Sequence, residues 1–468
     1  MNTTPAVESP IQDEPGATAL LDRVGGPVGR HGRPHWWWTP VRVLLAGCTL
    51  AFLFGMVQHT PCVTSDWNSN ATRYGAMCYS DIPYLYTGRG LAEQTWPYSH
   101  THRYPAMEYP VGISVFAWGV SVLTALHPEG PAEALRAAAS PDALWSMPGM
   151  DGEINEYFIL TVLLLFGCAL GATYLLATAD PRRPWAALPF AVTPLLPLAG
   201  MVNWDLLAVV AVAGALWAWM RDRPLLAGVC IGLGTSIKLY PLFLLGALLV
   251  ICLHQGRNGR RRWWAFAGAS FAAALTWLVT NVPIYLENPQ RWKHFWSFNS
   301  DRGADLGSLW LAFARHASPH TINLTSWLLF GLACLAILAI GLKAPRTPTL
   351  AQLGFLIVAA FLIVNKVYSP QYVLWLLPLA ALARPRWRDM LVWQVSELIY
   401  FAGVWLYLGG WLEGGSGGTP AYTAAIVVRV AGELYLGAMI IRDLWMPRDE
   451  RSSGGQRVGA EVASRPQP

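Results

Sequence analysis

Apolar runs of about 20 residues recur along this chain from Val41 onward, each long enough to cross the hydrocarbon core of a bilayer as a helix. No other feature narrows the fold as much, because a backbone in lipid must satisfy its own hydrogen bonds. Composition agrees. The 468 residues are 54% hydrophobic and 13% charged, where soluble domains carry about 25% charged residues. Many of the 24 tryptophans stand at run ends, Trp36 to Trp38, Trp263, Trp264 and Trp387 among them, as in the aromatic belts of membrane interfaces. The sequence therefore predicts an all-α polytopic membrane protein with about eleven to thirteen membrane segments and no large soluble domain. The membrane domain is expected over residues 36–446, between polar tails at 1–35 and 447–468 that are expected to be disordered. The first run, Val41 to Gln58, lacks a small-residue cleavage site and reads as a retained helix rather than a signal peptide.

The net charge of +5 lies in short clusters between the runs, which is a topology signal and not a nucleic-acid surface. Arg182 and Arg183, Arg221 and Arg223, Arg257 with Arg260 to Arg262, Lys343 and Arg346, Arg384 with Arg386 and Arg388, and Arg442 with Arg448 are assigned to the cytoplasm, as are Arg23, Arg30, Arg33 and Arg42. The alternating loops then face outside: Cys62–Tyr109, the turn Asn203-Trp204-Asp205, residues 283–325, the turn Lys366–Tyr372, and the Gly-rich stretch 409–420. Two segments resist this scheme. Residues 224–254 have arginines at both ends and hold Gly232, Gly234 and Pro241 around Lys238, which predicts two short helices in a hairpin whose tip nears the outer face. Residues 128–156 are acidic, with Arg136 alone as a base, and so belong outside; yet the apolar run 111–126 before them reads as a crossing toward the cytoplasm. These two assignments conflict.

Five cysteines (Cys48, Cys168, Cys230, Cys252, Cys334) lie inside apolar runs as small core residues. Cys62 and Cys78 share the first polar loop, where an extracytoplasmic setting would allow a disulfide; two unrelated thiols is the alternative. Ionisable groups at a membrane edge are functional candidates by default. Asp81, in Cys78-Tyr79-Ser80-Asp81-Ile82-Pro83, has the chemistry of a general base for a sugar hydroxyl. The competing role is a cap on a helix starting at Ile82-Pro83. Asp66 is the rival base, in a stretch that reads as a solvated turn. Glu108 stands at the mouth of the next run, as a ligand for a sugar hydroxyl or as an interface carboxylate. His100 and His102 would need further ligands to hold a metal, and Arg103 beside them suits a phosphate. Lys238 sits mid-run and calls for a partner or an anionic ligand, unless it snorkels to the interface. Asn203 and Asp205 fill one tight turn, and Lys366, Tyr368 and Gln371 fill another. This is more polarity than a turn needs, and it suggests one shared outer cavity. His294, Asn299, Asp301 and Arg302 are weaker contributors.

Read together and in order, Cys78–Pro83, Glu108-Tyr109-Pro110, Asn203–Leu207, Gly232–Pro241 and Asn365–Tyr372 resemble the GT-C class of polytopic glycosyltransferases. Within it they are similar to the actinobacterial branch of glycosyltransferase family 87, mannosyltransferases that use polyprenyl-phosphate sugars. The resemblance spans about residues 40 to 390. It implies a catalytic carboxylate in the first extracytoplasmic loop, a position Asp81 fills. It implies an inverting displacement in which an acceptor hydroxyl attacks the anomeric carbon and polyprenyl phosphate leaves. A cation at that phosphate would favour the transition state, with Lys238, Arg103 and Lys366 as candidates in that order. The donor's lipid tail would lie between helices, the acceptor would be a cell-envelope glycolipid or glycan, and the site would face outward from the plasma membrane. The loop lacks the tandem Asp-Asp or Glu-Asp of some GT-C enzymes, so a divalent metal is an open alternative without a motif behind it. No histidine matches a family base or acid, with His294 and His320 the nearest options. A transporter or flippase of lipid-linked sugar would use a similar cavity without a base. A non-catalytic scaffold would need none of these residues.

Overall fold

The computed structural model describes residues 37–65, 67–127, 129–255, 260–412 and 419–445. The two tails, Asp66 and most of the Gly-rich stretch 409–420 fall outside them. Regular structure among the described residues is helical throughout. In chain order the principal helices are α1 (Pro40–Thr64), α2 (Asp81–Gly88), α3 (Val111–Thr124), α4 (Met150–Ala179) and α5 (Leu206–Met220). They continue with α6 (Pro224–Ile237), α7 (Phe243–His254), α8 (Arg260–Glu287), α9 (Pro289–Asp301) and α10 (Pro319–Lys343). The last four are α11 (Leu350–Val364), α12 (Val373–Ala383), α13 (Trp387–Leu408) and α14 (Pro420–Trp445). Six of them, α1, α4, α8, α10, α13 and α14, are long and apolar enough to cross a membrane. The starts follow ordinary capping chemistry. Thr39 caps α1 ahead of Pro40, and Thr349 with Gln352 forms a reciprocal capping box on α11.

Helices α5, α6, α11 and α12 run only about 17 to 23 Å at 1.5 Å per residue, short of a ~30 Å hydrocarbon core. They stop early because polar turns end them. Lys238 is extended, with φ −149° and ψ 151°, and Pro241 follows, so the 224–254 segment is α6, a turn and α7. Asn365 is likewise extended and a turn through Pro370 leads into α12. Helix α6 lies close against α8, where Gly228 and Gly232 face the carbonyls of Ala269 and Ala273 with no room for a Cβ.

The conflict over residues 111–156 resolves in favour of charge. Arg103, before α3, donates to the carbonyls of Arg136 and Ala139, after it, at 2.8 Å each. Arg136 donates to the carbonyl of Ala92 at 2.6 Å and pairs with Glu153 at 2.6 Å, and the Tyr86 hydroxyl reaches the same carboxylate. Both flanks of α3 therefore pack together, and this 14-residue helix does not carry the chain to the opposite face. The reading of 111–126 as a crossing is corrected, because residues on either side of it are hydrogen-bonded to each other. Residues 129–149 lie against the first loop instead.

Candidate active site

The first loop is fastened at both ends of the segment that carries Asp81. Cys62 in the last turn of α1 is disulfide-bonded to Cys78. Ser80 caps α2 and its hydroxyl also donates to the Met201 carbonyl at 2.8 Å. The Asp81 amide donates to the Val202 carbonyl at 2.8 Å. The loop helix thus docks on the 201–205 turn, with Ser80 as its cap and Asp81 free to present its carboxylate. That carboxylate accepts a hydrogen bond on each oxygen, from the Tyr79 hydroxyl at 2.9 Å and the Tyr109 hydroxyl at 2.8 Å. Burial raises the Asp81 carboxyl above its ordinary range, against the two tyrosine hydroxyls and the Lys238 charge, which favour the ionised form.

Asp81 lines a cavity of about 890 Å³. Tyr74, Tyr79, Tyr84 and Trp405 line it too, with the Tyr79 ring 5.4 Å from Tyr84 and 5.3 Å from Trp405. Four cations reach the cavity: Arg89, Lys238, Arg302 and Lys366. Arg89 pairs with Glu108 at 2.8 Å, and Arg302 with Asp305 at 2.6 Å. Lys238 pairs with Asp205 at 2.7 Å and lies 4.9 Å from the centre of the Tyr109 ring. Asp205 is fully buried beneath the cavity and also accepts the Trp375 indole N–H at 3.1 Å. The Lys366 ammonium donates only to neutral oxygens, Asn323 Oδ1 at 2.6 Å and the Ser300 carbonyl at 3.2 Å. Among the described residues it is the one cavity cation without a carboxylate in ion-pair range.

Of the residues singled out in sequence, Asp81, Glu108, Asn203, Lys238, Asn299, Arg302, Lys366 and Gln371 meet at this cavity. Asp205 supports it from below. Two assignments are corrected. Arg103 is away from the cavity, its guanidinium paired with Glu93 at 2.8 Å and bonded to two backbone carbonyls, so it anchors the loop. Tyr368 is fully buried behind its turn, with its hydroxyl on Glu397 at 2.9 Å. Asp301, His294 and His320 do not line the cavity, and His100 and His102 are exposed. Among the described residues no three His, Cys, Asp or Glu side chains converge as metal ligands. Sequence reasoning missed Arg89, the tyrosine pair on Asp81, and Asn323. Asn323 had a signal, a lone amide opening an apolar run. A second pocket of about 400 Å³, almost wholly apolar, adjoins the first and shares Tyr109, Pro110, Leu239, Phe295 and Trp296 with it.

Residues 154–365 match the model of glycosyltransferase family 87. Over this span, just under half of its length, the chain is similar to that glycosyltransferase family. The matched span holds Asn203, Asp205, Lys238 and Asn323; the Asp81 loop precedes it and Lys366 follows it by one residue. A crystal structure of ArnT from Cupriavidus metallidurans bound to undecaprenyl phosphate is similar at a TM-score of 0.42, with 12% identity over 92% of this chain and 81% of that one. Comparison of the glycosyltransferase with curated proteins gives no match.

Proposed function

We propose that this glycosyltransferase moves a hexose, mannose in our reading, from a polyprenyl-phosphate donor to a hydroxyl of a cell-envelope glycolipid or glycan. The reaction takes place at the outer face of the plasma membrane. One observation carries the reading: a carboxylate held by two tyrosine hydroxyls opens into the same cavity as a lysine that has only neutral partners. The acceptor hydroxyl gives its proton to Asp81 as its oxygen attacks the anomeric carbon. The bond from that carbon to the phosphate oxygen breaks, and the configuration inverts. Charge develops on the leaving phosphate, where the Lys366 ammonium meets it with Asn323 beside it. Lys238, already neutralised by Asp205, is a second-choice phosphate ligand and holds the floor under Tyr109 and Asp81. The apolar pocket next to the polar cavity suits the first isoprene units of a lipid donor. Aromatic faces at Tyr79, Tyr84 and Trp405 suit sugar rings, and Glu108, Asn203 and Gln371 offer hydroxyl ligands.

The test is transfer of radiolabelled mannose from polyprenyl-phosphate mannose in membranes carrying wild type or Asp81→Asn at equal expression. We expect wild type to transfer and Asp81→Asn to lose about 10²- to 10⁴-fold in rate, the range of general-base help. Equal transfer by both would remove Asp81 from the mechanism. Lipid-linked sugar crossing the membrane without transfer would replace the enzyme reading with a flippase.

A further inference from the structure

A charged cluster with no wall on the cavity lies behind the Lys366 turn. Arg429 and Glu433 come from α14, Glu397 and Tyr400 from α13, and Tyr368 from the turn; all five are buried to within 2%. The Arg429 guanidinium lies 3.6 Å from the centre of the Tyr368 ring. It donates to Glu433 Oε1 at 2.8 Å and to the Gly307 carbonyl at 3.2 Å. Glu397 accepts the Tyr368 hydroxyl at 2.9 Å and the Trp393 indole N–H at 3.0 Å. The Tyr400 hydroxyl donates to the Tyr368 carbonyl at 2.6 Å, and the Gly307 N–H donates to the Tyr422 hydroxyl at 2.9 Å.

A buried ion pair is weak support for stability, because desolvation offsets most of its attraction. What this cluster fixes is backbone. It grips Gly307 on one side and Tyr368 on the other. Between them, the Asp305 amide donates to the Lys366 carbonyl at 2.9 Å and the Tyr368 amide to the Leu306 carbonyl at 2.7 Å. Gly307 has φ +71°, and a Cβ there would collide with the Tyr400 hydroxyl and the Tyr368 carbonyl. Two irregular segments are thereby clamped edge to edge. Their other sides supply Arg302, Leu306, Lys366 and Gln371 to the cavity wall.

We propose that the Arg429–Glu433–Glu397 cluster, through Tyr368 and Tyr400, is a positioning device that sets the enzyme's affinity for the donor's phosphate by holding the Lys366 turn against residues 302–308. This rests on the reading of Lys366 as the phosphate ligand. The cluster residues touch no substrate; they act through Lys366.

The test measures binding of polyprenyl phosphate itself to the purified full-length protein, by tryptophan fluorescence, and so does not depend on which sugar is transferred. Lys366→Met should weaken Kd by about 10-fold or more, as for loss of a hydrogen bond to a charged group. Tyr400→Phe deletes one oxygen and should weaken Kd by about 2- to 10-fold, the range for one hydrogen bond, with the melting temperature kept near wild type. Arg429→Lys should weaken Kd further. In a Lys366→Met background, Tyr400→Phe should add nothing, because both changes act through one contact. If Lys366→Met leaves Kd unchanged, the reading of the phosphate site fails. If Lys366→Met weakens binding but folded Tyr400→Phe and Arg429→Lys do not, the positioning role is overturned. The positioning role is equally overturned if Tyr400→Phe weakens Kd to the same extent with and without Lys366.

Discussion

Asp81 carries the most at the scale of single residues, and its two tyrosines make it testable apart from simple loss of the carboxylate. A general base works only when ionised. Burial holds the Asp81 carboxyl above its ordinary range, so kcat/KM should fall as pH drops through that raised value. The Tyr109 hydroxyl donates to the ionised form and opposes the rise. Tyr109→Phe removes that opposition, so its acid limb should move to higher pH while activity above the limb persists. A pH profile of kcat/KM for wild type and Tyr109→Phe checks this; an unmoved limb, or one at lower pH, would show that the hydroxyl does not tune the base. Asp81 was legible in the chain because a carboxylate beside Pro83 in a polar loop is conspicuous among apolar runs. The partners of the cations were not. Sequence shows that Lys238, Arg103 and Lys366 are charged, but only three dimensions show that Asp205 and Glu93 neutralise the first two. Tyr368 misled for the same reason: a tyrosine in a polar turn can point either way, and this one points into protein.

Short helices that stop below the membrane's full thickness are the device that builds the site at the scale of elements. Their ends were legible from Gly234, Lys238 and Pro241, and from the polar run Asn365–Tyr372, since each interrupts an apolar run. Less legible was what seats α6. Gly228-Val229-Cys230-Ile231-Gly232 is a Gly-x-x-x-Gly pattern that lets membrane helices approach closely, and it faces Ala269 and Ala273 of α8. Helix α6 ends at Lys238, so its seating reaches the floor of the cavity. Gly228→Leu or Gly232→Leu should push α6 off α8 and destabilise the protein by about 1–3 kcal/mol, the range for overpacking. The comparison is Gly119→Ala on α3, where a Cβ meets nothing within 4 Å. Melting curves in detergent should show a clear drop for the α6 variants and little change at Gly119. A Gly228→Leu protein that melts like wild type would mean the two helices have slack there.

Topology is where local signals disagreed at the scale of the whole molecule, and the reason is physical. Hydropathy reads α3 as a membrane segment because its 14 residues are apolar, yet they extend only about 21 Å. Charge reads the following acidic stretch as extracytoplasmic, and the buried Arg136–Glu153 pair agrees, fastening that stretch to α4 and to Ala92 of the first loop. Electrostatic partners outrank hydropathy here because an unpaired Glu153, only 1% exposed, would be untenable. The chain then enters α4 from the side where it left α1, which puts Arg182 and Arg183, beyond the far end of α4, on the side opposite the first loop. Single-cysteine labelling decides this directly. Ser140 and His100 are exposed, as is Arg182 beyond the other end of α4. In intact cells a membrane-impermeant maleimide should label Ser140→Cys and His100→Cys alike, with wild type as background for the native thiols. Arg182→Cys should react only after the membrane is opened. Labelling of His100→Cys with protection of Ser140→Cys would mean that α3 does cross. It would also put the Arg103 bonds to Arg136 and Ala139 on opposite faces of a bilayer, and that version of the active-site loop would have to be abandoned.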